Sequence, residues 1–181
     1  NFEDWYPTIV IWFLALALLL NYEDDRVLLG LKNRGLPGNL AISISVGLVV
    51  LFGAAGIFDP LNERAVSLFV IGTLYNLSRE IIKDVEDMDG DKGRNTYAMR
   101  VGADKARLTS WVILLITLVA LLTPFAMGIF ELLHIIFIAP GLFTLMSVKK
   151  HIYLAEDTAA SSMIKIAMTL TMVGLILAAL I

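Results

Sequence analysis

The sequence predicts an all-α integral membrane protein, a bundle of six transmembrane helices with a cytoplasmic acidic cap. Three observations predict it. The 181 residues are 58% hydrophobic, with a mean hydropathy of +0.79 and only 17% charged residues, a composition outside the range of soluble domains. The apolar residues gather into six runs, each near the roughly 20 residues a bilayer crossing needs. The cations fall on one side of the alternation those runs define.

The first run, 7–21, is short, and Trp5 and Tyr6 extend it as interfacial anchors. In the charged connection that follows, Asn21, Asp24 and Asp25 read as interfacial capping. The 31–39 stretch reads as a Gly-Pro turn with Asn39 capping the next helix. The second run is 39–57, and a short link at 59–63 leads to the third, 64–83. Arg79, Glu80 and Lys83 sit at its end, where charges cost up to about 3 kcal/mol each at the bilayer centre and less near its edge. They are expected to face a polar cleft. Lys83 and Lys165 can snorkel to the headgroups, but the short Glu80 cannot. Beyond the polar segment 84–107 come the runs 108–129, 132–148 and 162–181, parted by a tight turn at 128–131 and a polar loop at 149–161.

With this alternation every Lys and Arg except Arg64 lies on one side, and adding or dropping a run would scatter them. By the positive-inside rule that side is cytoplasmic and both termini face outward. The chain reads as a single domain over 1–181, integral to the cell membrane and in contact with its lipids. The absence of Cys excludes disulfides and thiolate metal sites. A net charge of −3 singles out no partner class, and no nucleic-acid partner is expected. Asn1 is not an initiator Met, so the numbering is expected to begin inside a longer precursor.

The chemistry gathers in 78–94. Asp84, Asp87 and Asp91 are spaced three and four apart, so if the third helix continues they share one face and repel one another without a cation. Mg²⁺ prefers oxygen ligands and is commonly held by one or two carboxylates plus the phosphates of a substrate. A metal-bridged diphosphate is the economical reading. Tyr75, Arg79 and Lys83 recur every four residues upstream, placing a hydroxyl and two cations where they can reach phosphate oxygens. Lys32 and Arg34 bind either substrate phosphate or lipid headgroups. The plain alternative is a solvated loop with fortuitous charge.

Other motifs fit less well. Asp87-x-Asp89-x-Asp91 opens like a calcium loop, but Gly falls at 90 and Ala98 stands where the bidentate Glu belongs. Gly90-x-x-Gly93-Arg94 approaches the pattern of CDP-alcohol phosphatidyltransferases, but only Asp104 follows Gly102 where a closing Asp-x-x-x-Asp is needed. That enzyme, using a CDP-linked donor, is a second reading. A non-catalytic, ion-binding membrane subunit is a third. His134 and His151 lack ligand partners and read as structural.

Ser78-Arg79-Glu80-Ile81-Ile82-Lys83-Asp84-x-Glu86-Asp87-x-x-Gly90-Asp91, followed by Arg94-x-Thr96 and Val101-Gly102, resembles the second aspartate-rich motif of the UbiA superfamily of intramembrane prenyltransferases. The 31–39 stretch resembles the turn before that family's fifth helix. The resemblance implies nine helices around a cleft capped on the cytoplasmic side, where two acidic motifs hold Mg²⁺ and a prenyl diphosphate. Departure of the diphosphate leaves an allylic cation that a lipid or aromatic acceptor attacks. By position it implies Asp84, Asp87 and Asp91 as metal and diphosphate residues. Arg79, Lys83 and Lys32 would neutralise phosphate charge, with Tyr75 and Arg94 also meeting substrate and Phe52, Phe69 and Tyr75 lining a prenyl tunnel. The Arg-Glu-Ile-Ile-Lys-Asp wording is nearest to the archaeal branch that makes digeranylgeranylglyceryl phosphate, so a geranylgeranyl donor and geranylgeranylglyceryl phosphate as acceptor are expected. The family's first acidic motif is not found: Asn21 and Asp25 copy its opening, but Leu29 stands where its last Asp belongs. Run 7–21 then aligns with the family's fourth helix, and three helices and the first motif are expected to lie outside this sequence.

Overall fold

A computed structural model describes residues 2–23, 29–90 and 93–181, residues 2 and 3 by backbone alone. Among the described residues there is no strand. The helices are α1 (Phe2–Glu23), α2 (Leu36–Gly56), α3 (Glu63–Glu86), the short α4 (Tyr97–Val101), α5 (Ala103–Ala126), α6 (Ile135–Tyr153) and α7 (Asp157–Leu180), with 3-10 turns at Leu31–Asn33 and Leu132–His134. Six of them are long and apolar enough to cross a membrane, as the hydropathy predicts. Every helix but α6 starts before its apolar run. Helical hydrogen bonding continues into the polar residues at the interface, which hydropathy leaves out.

The start of α2 corrects one expectation. Asn39 is not its cap: the helix begins at Leu36 behind Gly35, with Pro37 in the first turn, where a missing N–H costs nothing. Asn39 therefore lies inside the helix with its side chain available for another task. At α3 an asparagine does cap the helix: the Asn62 side chain accepts the Arg64 N–H at 3.0 Å.

Helix α3 is the axis of the bundle. It packs on α2, α5 and α7, while α6 lies against α7 and α1 lies against α2. The main core joins Ile71, Tyr75 and Ile82 to Leu114 and Leu121 of α5, Leu145 of α6 and Ile164 of α7. With no hydrophobic force to drive helices together in lipid, close approach and shared hydrogen bonds hold the bundle. Gly141 is one such approach, because a Cβ there would collide with the Oγ1 and backbone N of Thr171. Ser78 and Ser110 form another. Their hydroxyls lie 2.7 Å apart and each reaches the other's backbone carbonyl, at 3.1 and 3.0 Å. A smaller core at the charged end sets Ala98 of α4 among Leu77, Ile81 and Val85.

Candidate active site

The last two turns of α3 bring their charged residues to the junction of α1, α2 and α4. Asp84 is central there. Its Oδ2 accepts the Asn39 side-chain amide at 2.9 Å and the Tyr97 backbone N–H at 3.2 Å, so a carboxylate on α3 is fixed by donors from two other elements. Asn39 is itself buried, and a buried amide in a membrane helix needs such a partner.

Helix α4 presents that backbone N–H because of its neighbours. Thr96 caps it by accepting the Met99 N–H at 3.5 Å, and the Tyr97 hydroxyl lies 3.1 Å from Thr109 Oγ1 of α5. Arg79 and Glu80 form an ion pair at 3.1 Å with both side chains mostly enclosed, and Arg79 Nε is buried without a hydrogen bond. Lys83 is half-buried and makes no ion pair among the described residues. Tyr22, at the end of α1, shares the electrostatic environment of Glu80, Asp84, Glu23 and Arg94. Spacing along the chain gave no hint of Tyr22, Asn39 or Tyr97, since each acquires its place through packing between helices.

Two expectations are corrected, for Tyr75 and for the acidic face, and Lys32 is found with a partner. Tyr75 does not face the charged end: it is fully buried and its hydroxyl lies 3.1 Å from Thr171 Oγ1 of α7. Positions four apart on a helix drift by about 40° per step, and the core claims the Tyr75 side of α3. Lys32 is engaged by both carboxylate oxygens of Glu23 at 3.0 Å. The face expected to carry Asp84, Asp87 and Asp91 is not continuous, because α3 ends at Glu86 and Asp87 is its C-cap. Asp87 is exposed, and Asp91 lies outside the described residues. Arg94 is exposed close to Tyr22. Among the described residues no three carboxylates or imidazoles converge on one point. Asp84 and Asp87 nevertheless supply the hard oxygen donors that Mg²⁺ prefers when phosphates complete its shell.

Each histidine has a contact of its own. His134 Nδ1 lies 3.2 Å from the Ala178 carbonyl and His151 Nδ1 lies 2.7 Å from Glu156. Asn21 bonds back to the Ala17 carbonyl at 2.7 Å, whereas Asp24 and Asp25 lie outside the described residues.

Residues 6–179 match the model of the UbiA prenyltransferase family. The chain belongs to the UbiA family. Among UbiA relatives it is 34% identical over 150 residues to the digeranylgeranylglyceryl phosphate synthase of Methanosarcina mazei, covering 81% of this chain and 52% of that protein. It is 30% identical over 195 residues to the synthase of Korarchaeum cryptofilum, covering 95% and 67%. A third synthase, from Haloquadratum walsbyi, is 35% identical over 112 residues, covering 60% and 39%. The chain thus spans about half the length of several curated relatives it matches. A solved structure from a study of digeranylgeranylglyceryl phosphate synthase in membranes superposes with a TM-score of 0.76 at 23% identity, over 95% of this chain and 61% of that one. It has the same helical fold. As a UbiA member with six such helices, the chain is an integral membrane protein.

Proposed function

We propose that this chain carries the second-motif half of a prenyltransferase site and that the reaction is transfer of a geranylgeranyl group from its diphosphate to geranylgeranylglyceryl phosphate. The observation that carries the proposal is Asp84, a carboxylate held by Asn39 and Tyr97 on the same helix end as Arg79, Glu80 and Lys83, in a UbiA chain whose relatives are named for that product. Asp84, Asp87 and Asp91 would hold Mg²⁺, which when bound supplies positive charge to the departing diphosphate.

The remaining steps belong to the protein. Arg79 and Lys83 add fixed positive charge where phosphate charge develops. The prenyl chain requires an apolar path. A crevice of about 180 Å³ lined by Ile11, Trp12, Ala15, Leu48, Val49 and Phe52 runs between α1 and α2, about two turns deeper than Tyr22 and Asn39. At that depth it would take the apolar tail of the prenyl chain rather than the carbon bonded to diphosphate. The acceptor hydroxyl then forms the new C–O bond and gives up its proton. By the positive-inside rule the site opens to the cytoplasm.

The test is transfer of labelled geranylgeranyl diphosphate to geranylgeranylglyceryl phosphate in native membranes, with and without Mg²⁺. Metal-dependent product is expected. Product that forms equally well with excess chelator, or with a CDP-linked donor instead, would overturn the reading.

A further inference from the structure

The 31–39 turn carries two cations, and the structure sends them to different places. Lys32 pairs with Glu23, whereas Arg34 joins Arg100 of α4 in lining an open pocket of about 470 Å³ with Asn33, Pro37 and Asn95. No carboxylate is among its lining residues. Both guanidiniums are held in place by neutral oxygens. Arg34 Nε donates to the Leu29 carbonyl at 2.6 Å, while Arg100 donates through Nε to Asn95 Oδ1 at 2.9 Å and through Nη2 to the Asn33 carbonyl at 3.2 Å. The Nη groups of Arg34 and Nη1 of Arg100 make no bond among the described residues. Elsewhere at this end of the bundle, Arg79 and Arg107 are both paired with acids.

Gly35 makes the arrangement fit. Its φ is +68°, and a Cβ there would lie 3.2 Å from Arg100 Cδ and 3.4 Å from Tyr97 Cα, so any other residue would be strained and would press on Arg100. Two oriented guanidiniums with spare donors and no carboxylate partner among the described residues are suited to a planar fork around phosphate oxygens. The pocket also adjoins the candidate site. Arg100 lies one turn beyond Tyr97, whose N–H holds Asp84.

We propose that Arg34 and Arg100, with Asn33 and Asn95, bind the phosphate of a lipid. Its source is either the phosphomonoester head of the acceptor, an assignment that rests on the transfer reading above, or a phospholipid headgroup of the membrane.

The experiment uses the protein in phosphatidylcholine nanodiscs without prenyl diphosphate or Mg²⁺, so that binding is read independently of transfer. Glycerol 1-phosphate is titrated by calorimetry against the parent, Arg34→Gln and Arg100→Gln. The same three proteins are compared in nanodiscs containing phosphatidylglycerol, reading retained lipid by native mass spectrometry. Saturable glycerol phosphate binding that each substitution weakens about tenfold or more assigns the acceptor head. Phosphatidylglycerol retention that the substitutions abolish, without glycerol phosphate binding, assigns the membrane lipid. Arg34→Lys and Arg100→Lys, which keep the charge, should fall between parent and Gln variants and guard against loss of fold. If neither probe distinguishes the parent from the Gln variants, the proposal fails. The transfer reading would stand or fall separately by its own assay.

Discussion

Two groups of charges lie at the end of α3, and they differ in how those charges are spent. One lines a cleft of about 640 Å³ between α3, α5 and the start of α7, with Glu86, Asp89, Arg107, Glu156, Asp157 and Thr158 in its walls. Its principal groups are satisfied by one another: Arg107 clasps Asp157 through two bonds of 2.8 and 2.6 Å and Asp104 through a third of 2.9 Å, and Thr158 donates to Glu86 at 2.9 Å. The other, around Asp84, is not closed on itself: among the described residues Lys83 makes no ion pair and Arg79 Nε no hydrogen bond. Glu86 and Asp84 are only two residues apart, yet opposite sides of the helix send one to a structural clasp and the other to the site. Cavity volume therefore points away from the chemistry here, and unspent hydrogen-bonding capacity points toward it.

Substitutions can break or sharpen that contrast. The largest effect is expected from Asp84→Asn, which keeps the shape but removes the charge; prenyl transfer should fall by at least about a hundredfold, with thermal unfolding in detergent little changed. Transfer within a few fold of the parent would remove Asp84 from the chemistry. Asn39→Ala should lower turnover by about tenfold through loss of the amide that holds Asp84, and at saturating substrate the loss should remain. A purely structural Asn39 would instead lower the melting temperature and spare turnover in the folded fraction. On the other side of α3, Arg107→Gln should destabilise by about 2 kcal/mol, because Asp157 would be left largely enclosed without its cation. The measurement is chemical or thermal unfolding, and a fall in turnover with unchanged stability would reverse the roles of the two groups. The smallest effect is expected from Glu86→Gln, below about 0.5 kcal/mol, since an exposed amide oxygen can still accept from Thr158.

The fold was legible because bilayer length and hydropathy determine helix number, and the one-sided cations confirm the alternation. Asp84, Arg79 and Lys83 stood out because charges at the end of an apolar run demand a reason. What escaped was set by contacts between distant parts of the chain. Asn39 looks like a cap until Pro37 is seen to lie inside the helix, and its partner is 45 residues away. Tyr97 contributes a backbone N–H, to which residue type gives no clue. Helix α4 has five residues, too few for a periodic pattern. Tyr75 was drawn into the site by its spacing from Arg79, whereas its ring is taken up by the core and its hydroxyl by Thr171.

The reciprocal Ser78 and Ser110 bonds also limit how the protein can move. A slide of α3 along α5 by a single residue is about 1.5 Å, enough to part both hydroxyls from the carbonyls they reach. These bonds therefore oppose piston-like motion of the helix that carries Asp84, in its last third. Helix α1 meets the bundle chiefly through α2, and among the described residues no such pair of hydroxyls ties it to α3, so the register of α3 is held from the α5 side.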